Sequence, residues 1–195
     1  MYDLPTSIFI EDNEYKIRDA GDFRVVLDCF SALGDIEMGE DFRVLACLII
    51  FYEDFDEDTV FDLDEDTMTG LVTEMYKFFT CGQDESTTPS PKLIDWEQDS
   101  QMIMSAINNV AGKEVRAEKY IHWWTFVGYY MAIGESVLAT VVSIRNKILK
   151  GEKLEKWEQK FRTENSHYFN WNSKSIEDQE LDAWMYKMWN SEEEQ

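Results

Sequence analysis

Apolar positions along this 195-residue chain change their period once. Near the start, Ser7-Ile8-Phe9-Ile10 and Tyr15-Lys16-Ile17 flank the polar run Glu11-Asp12-Asn13-Glu14. Two β-rich runs around a polar turn predict a hairpin. A lone hairpin is marginal in water, so it must rest on the remainder of the fold. From Phe23 onward the spacing is helical. Phe23, Val26, Leu27, Phe30 and Leu33 share a face, with Gly34 placed to end that helix. Phe42, Leu45, Ile49 and Tyr52 form the next face. Met68, Leu71, Val72, Met75, Phe78 and Phe79 form a third, with Asp66 as its predicted cap and Gly82 as its stop.

Residues 83–92, QDESTTPSPK, interrupt the pattern, because Pro89 and Pro91 forbid a helix there. Asp95 followed by Gln98 then reads as a capping box opening a helix with Trp96, Ile103, Ile107 and Val110 on one face, stopped by Gly112. A helix from about 116 to 133 follows. Between Tyr120 and Ile133 it carries no formal charge and is apolar on two faces, which predicts a buried position. Fourteen uncharged residues are too few to span a bilayer, and Gly134-Glu135 ends the run. Ser136 caps a helix with Val137, Val141, Ile144, Ile148 and Leu149, closed by Gly151. Residues 153–168 alternate Lys and Glu around Leu154, Trp157 and Phe161, as a surface helix does. A last amphipathic helix is predicted over residues 176–190, capped by Ser175. The expected fold is mainly α: a bundle of about seven to eight helices with a small N-terminal β-hairpin. Its parts are an N-terminal hairpin and acidic lobe (1–82), a linker (83–92), an apolar helical lobe (93–169) and a C-terminal amphipathic helix (170–195).

Charge narrows the function. The chain holds 18 basic and 40 acidic residues, a net charge of −22. The excess is uneven: residues 1–92 carry 23 acids and 6 bases, hence −17, and residues 93–195 carry 17 and 12, hence −5. Such a chain repels phosphates and anionic membrane surfaces, so neither nucleic acid nor membrane is an expected partner. The start shows no basic region before an apolar run, so no secretory signal is expected. Cys29, Cys47 and Cys81 are odd in number and form no CxxC, which predicts reduced thiols packed as small hydrophobes.

Catalytic patterns are missing from the sequence. It has no phosphate-binding glycine loop, HExxH or GxSxG, so no enzyme activity and no cofactor are expected. Residues 53–66 contain nine acids, and Asp54, Asp56, Asp58, Asp62 and Glu65 match a calcium-loop frame. Thr59 occupies the sixth position, where the sharp turn wants Gly, so the segment reads as a solvated acidic connector and no metal is expected. His122, beside Trp123 and Trp124, reads as a core histidine with both ring nitrogens hydrogen-bonded. Asp99 and Arg145 sit in apolar surroundings and are candidates for a partly buried ion pair. The candidate partner-binding face is Leu181, Trp184, Met185, Met188 and Trp189, because Met and Trp adapt to varied apolar partners.

Asp95-Trp96-Glu97-Gln98-Asp99, Tyr120-Ile121-His122-Trp123-Trp124-Thr125-Phe126 and Ile144-Arg145 together resemble a bacteriophage family named by its gene-product number, fifteen. The hairpin followed by Asp22-Phe23-Arg24 resembles its N-terminal signature, and the resemblance covers about residues 5–170. Asp99, His122, Trp123, Trp124, Phe126 and Arg145 are its motif residues and read as core-forming. Family members come from long-tailed phages and are encoded just before the tape-measure gene. The resemblance therefore implies a tail assembly chaperone in the host cytoplasm, absent from or minor in the virion. Its partner would be the tape-measure protein, with the tail tube protein displacing it. Two other readings fit the sequence: a structural tail or connector component, and an acidic DNA mimic that blocks a host nucleic-acid-binding protein.

Overall fold

The structure is a computed structural model that describes residues 3–35, 37–83 and 93–170. Seven α-helices and one hairpin are present among the described residues, in agreement with the mainly helical expectation. The chain forms two compact units: Met1–Thr87 with Glu118–Gly128, and Thr88–Ala117 with Tyr129–Gln195. The sequence reading places residues 118–128 in the second lobe, whereas their contacts group them with the first. All but Gln83 of the predicted linker, and the predicted C-terminal helix, lie outside the described residues.

In the first unit, strands β1 (Ser7–Ile10) and β2 (Asn13–Lys16) pair antiparallel, Ser7 opposite Lys16 and Ile10 opposite Asn13. The turn is shorter than predicted, two residues, with Glu11 at φ 53°. Ile17 leaves the hairpin and instead bridges Tyr52. Helix α1 (Phe23–Leu33) is capped by Asp22, whose carboxylate accepts from the Arg24 amide at 3.1 Å. Phe23, Val26 and Leu33 are buried as the spacing predicts, and Gly34 is the C-cap.

Helix α2 (Glu40–Phe51) departs from its predicted face. Cys47, Leu48, Phe51 and Tyr52 are buried, while Phe42 is 57% exposed. The apolar run offers more than one helical stripe, and packing on α1 selects the stripe through Cys47. There the Cys47 thiol donates to the Cys29 carbonyl at 3.3 Å. Burial pushes the Cys29 thiol well up from its ordinary value, and all three cysteines are free.

Helix α3 (Glu65–Phe79) starts two residues earlier than expected. Asp64, not Asp66, accepts from the Thr67 amide at 2.9 Å, and Thr80 rather than Gly82 closes the helix. In the connector before it, Thr59 is right-handed at φ −81°, and the Asp56 carboxylate accepts from the Asp58 and Thr59 amides and from the Thr59 hydroxyl. The Thr59 hydroxyl holds the Asp56 carboxyl below its usual value.

The second unit contains α4 (Ser100–Ala111), α6 (Val137–Leu149) and α7 (Lys156–Glu164). Asp95 caps a turn that precedes α4 instead of the helix itself; Asp99 is the N-cap, and its carboxylate accepts from the Asp95 amide at 3.0 Å. Ile103 and Ile107 are buried, but Val110 is exposed. Gly112 closes α4 at φ +68°, a left-handed position that glycine fills without strain. Ser136 caps α6 as predicted, through the Ala139 amide at 3.0 Å. Val141 and Ile144 of α6 are buried, but Val137, Ile148 and Leu149 remain exposed. Helix α7 is shorter than the charged pattern suggests. Its Glu158 is buried and accepts from Lys147 of α6 at 2.6 Å, so this charge fixes a tertiary contact.

Helix α5 (Trp123–Met131) corrects the largest expectation, since the predicted helix from about 116 begins only at Trp123. Residues 115–117 form a separate turn. Ile121 and His122 are extended because they pair with Asp22: Phe23 donates its amide to the Ile121 carbonyl at 2.9 Å, and the Ile121 amide donates to Asp22 Oδ2 at 2.8 Å. Tertiary hydrogen bonds here outweigh a helical propensity worth only tenths of a kcal/mol per residue. No described helix is long and apolar enough to cross a membrane.

Candidate functional site

In the first unit, Asp22 ties the start of α1 to Ile121 and His122. Besides capping α1 it accepts from Arg24 Nη1 at 2.9 and 3.1 Å, and Arg24 Nη2 reaches the Glu118 carbonyl at 2.7 Å. The ion pair is half-shielded, with the Arg24 guanidinium 4.5 Å above the Phe23 ring. Tyr120 donates to the Ala20 carbonyl at 3.0 Å. That contact steadies the left-handed turn Asp19–Ala20–Gly21, at φ 47°, 51° and 78°. Gly21 is required there twice over. Its φ is left-handed, and a Cβ would lie 2.7 Å from the Phe78 ring and 3.1 Å from His122 Nε2.

His122 is buried in this junction. Its Nδ1 accepts from the Trp124 amide at 3.1 Å, so Nε2 carries the hydrogen and donates to the Pro5 carbonyl at 3.0 Å. Both nitrogens are thus engaged, as the sequence reading expects. Burial pushes the imidazole below its ordinary pKa, only partly offset by the Pro5 carbonyl and the Asp22 charge.

The adjacent tryptophans have one shared task. Trp123 Nε1 donates to the Phe79 carbonyl and Trp124 Nε1 to the Phe78 carbonyl, both at 2.9 Å. Successive indoles therefore serve successive carbonyls at the end of α3, in the last turn where a helix leaves acceptors short of donors, although the Phe78 carbonyl also accepts from the Cys81 amide at 3.1 Å. Phe126 stacks on Phe23 at 4.3 Å between ring centres and 5° between planes. The motif His122-Trp123-Trp124-x-Phe126 is in this way a clasp that holds residues 118–128 on the hairpin, α1 and α3.

Arg18 performs the corresponding service for α2. It donates to the carbonyls of Ile49, Ile50 and Tyr52, each at 2.9 Å, placing a cation at the helix C-terminus. Neither Arg18 nor Asp22 was a candidate site residue in the sequence, where Asp22 entered only through the signature Asp22-Phe23-Arg24. Asp22 did carry a signal, an acidic residue directly before an apolar helical run. Arg18 carried none, since its partners lie more than thirty residues away.

In the second unit Asp99 and Arg145 form the expected ion pair. Their side chains are 0% and 4% exposed, with Nη1–Oδ2 at 2.5 Å and Nη2–Oδ1 at 2.9 Å. Arg145 also donates to the Leu93 carbonyl at 2.9 Å and the Tyr168 carbonyl at 3.0 Å. One guanidinium thereby joins α4, α6 and the segments at residues 93 and 168. The bidentate geometry with further carbonyl partners is what a buried pair needs to offset desolvation. The predicted partner-binding residues Leu181, Trp184, Met185, Met188 and Trp189 lie outside the described residues.

Fold and motif thus define a small acidic helical protein whose distinctive polar residues tie segments together. A family model described as Bacteriophage Gp15 protein matches residues 1–168. The chain belongs to that family, and the match takes in both the Asp22–His122 clasp and the Asp99–Arg145 pair. No curated protein and no solved structure matches the chain.

Proposed function

We propose that this phage protein is a tail assembly chaperone that binds the tape-measure protein and keeps it soluble until the tail tube polymerises. The observation that carries this reading is the family match over residues 1–168. The resemblance implies a gene just before the tape-measure gene, the slot that tail assembly chaperones usually occupy. The net charge of −22 would solvate a coated client and keep coated filaments apart. The client is a long helical chain with apolar stripes, which an adaptable apolar face can take up as a helix in a groove. The proposed face is Leu181, Trp184, Met185, Met188 and Trp189. Tube subunits would displace the chaperone, leaving it in the host cytoplasm. The scheme involves no catalysis, cofactor, nucleic acid or membrane.

Co-expression with the tape-measure protein tests this. The client should become soluble and co-elute, and Trp184→Ala with Trp189→Ala should abolish co-elution. Persistence of co-elution in that variant would move the binding face elsewhere. An insoluble, unbound client together with stoichiometric amounts of this chain in purified virions would overturn the reading in favour of a structural component.

A further inference from the structure

Two of the three cysteines face each other where α1 packs on α2. Cys29 and Cys47 are both wholly buried, and they stand 18 positions apart in the chain. Their contacts are reciprocal. The Cys47 thiol donates to the Cys29 carbonyl at 3.3 Å, and the Cys29 sulfur lies 3.8 Å from the Cys47 carbonyl oxygen. Each sulfur thus reaches across the helix contact to the other residue's own backbone. The thiols also meet directly. Burial holds the proton on Cys29 most strongly, and the hydrogen bond with the Cys47 thiol is the next cause. The third thiol, Cys81, is part-exposed and lies beyond the end of α3.

A disulfide needs two cysteines whose backbones approach closely and whose side chains point at each other. Crossed sulfur-to-carbonyl contacts between touching thiols meet both needs. Burial sets the conditions under which the pair reacts. The thiolate is the nucleophile in disulfide exchange, and a buried thiol keeps its proton. The pair is therefore inert while α1 and α2 stay closed over it, and exchange goes through their opening.

We propose that Cys29 and Cys47 are a disulfide site that staples α1 to α2, closed by exchange with a low-molecular-weight disulfide such as glutathione disulfide. When the helices part, one cysteine loses its proton to solvent and its thiolate attacks a sulfur of the small disulfide. That S–S bond breaks, a mixed disulfide forms and one small thiolate leaves. The second cysteine, deprotonated in turn, attacks the protein sulfur of the mixed disulfide. The Cys29–Cys47 bond forms and the second small thiolate leaves. Two protein thiols are oxidised and one small disulfide is reduced to two thiols. Re-docking of the helices then buries the bridge. A reducing pool returns the pair to the free thiols seen here. Because the fold already holds the two sulfurs together, bridge and folded state favour each other. This goes beyond client binding, and its readout requires no client.

The test equilibrates the full chain in glutathione buffers of graded oxidised fraction, in native buffer and in urea, starting from reduced and from bridged protein. Remaining thiols are then blocked and the chain is cut with trypsin. Cleavage after Arg24, Arg43, Lys77 and Lys92 puts Cys29, Cys47 and Cys81 on three separate peptides. Mass spectrometry should find the peptide of residues 25–43 joined to that of residues 44–77, with Cys81 free. Closure should be about a hundredfold more favourable in native buffer than in urea, the same factor by which the bridge favours the fold. Cys81→Ser leaves one possible pair, so the bridge can be made in urea and the chain diluted into buffer. It should regain the circular dichroism of the reduced chain with a higher thermal midpoint, which dithiothreitol should reverse. Equal closure in buffer and urea, glutathione adducts in place of a bridge, a bridge to Cys81 in native buffer, or a bridged Cys81→Ser chain that melts no higher than its reduced form would each overturn the proposal.

Discussion

Arg145 shows how much one side chain can hold. It neutralises Asp99 in the interior of its unit and supplies donors to the carbonyls of Leu93 and Tyr168. Asp99→Ala leaves that guanidinium buried without its counter-charge, so urea denaturation should show a loss of about 3–5 kcal/mol. His122 makes a different prediction. Its folded pKa is depressed by burial, so the unfolded chain takes up a proton more readily than the folded one. Stability from this group is complete above the ordinary histidine value of 6.5 and is lost as pH falls through that value toward the folded pKa. Midpoints measured between about pH 7.5 and 5.5 should fall with pH in wild type, and His122→Asn should flatten that slope. The pairing of Asp99 with Arg145 was legible from two charges in apolar surroundings. The service of Arg18 to α2 was not, because nothing local marks which distant carbonyls a cation will meet.

At the scale of elements, ends proved more informative than middles. Ser136, Gly34, Gly112 and Gly151 mark boundaries as the sequence suggests. Asp66 and Asp95 do not, because an acidic run offers several capping carboxylates and only packing selects among them. The late start of α5 has the same cause, since Asp22 captures the Ile121 amide. The indole pair gives this a test. Trp123→Phe keeps the ring bulk but removes the donor to the Phe79 carbonyl, and should cost about 1–3 kcal/mol with faster amide exchange at the end of α3. Gly21→Ala should cost about 1–3 kcal/mol in the same assay through its left-handed φ, and more if the Phe78 ring cannot yield.

For the whole molecule, charge is the dominant variable. Twenty-three acids against six bases in residues 1–92 repel one another in the folded state more than in an expanded chain. The thermal midpoint should therefore rise as sodium chloride is raised from about 10 to 200 mM, where screening shortens from about 30 Å to below 10 Å. A midpoint that does not move would mean the acids are already compensated by local cations, as Asp22 is by Arg24 and Glu74 by Lys77.

The sequence by itself determined the helical class, the hairpin, most helix stops, the charge asymmetry and the family, because periodicity, capping residues and rare motifs are local. Tertiary structure decided which stripe of α2 is buried, where α5 begins and that residues 118–128 join the first unit. It also gave His122, Trp123 and Trp124 their partners. Those outcomes turn on hydrogen bonds between residues tens of positions apart, such as Ile121 to Asp22 and Trp123 to Phe79, and spacing along the chain carries no record of them.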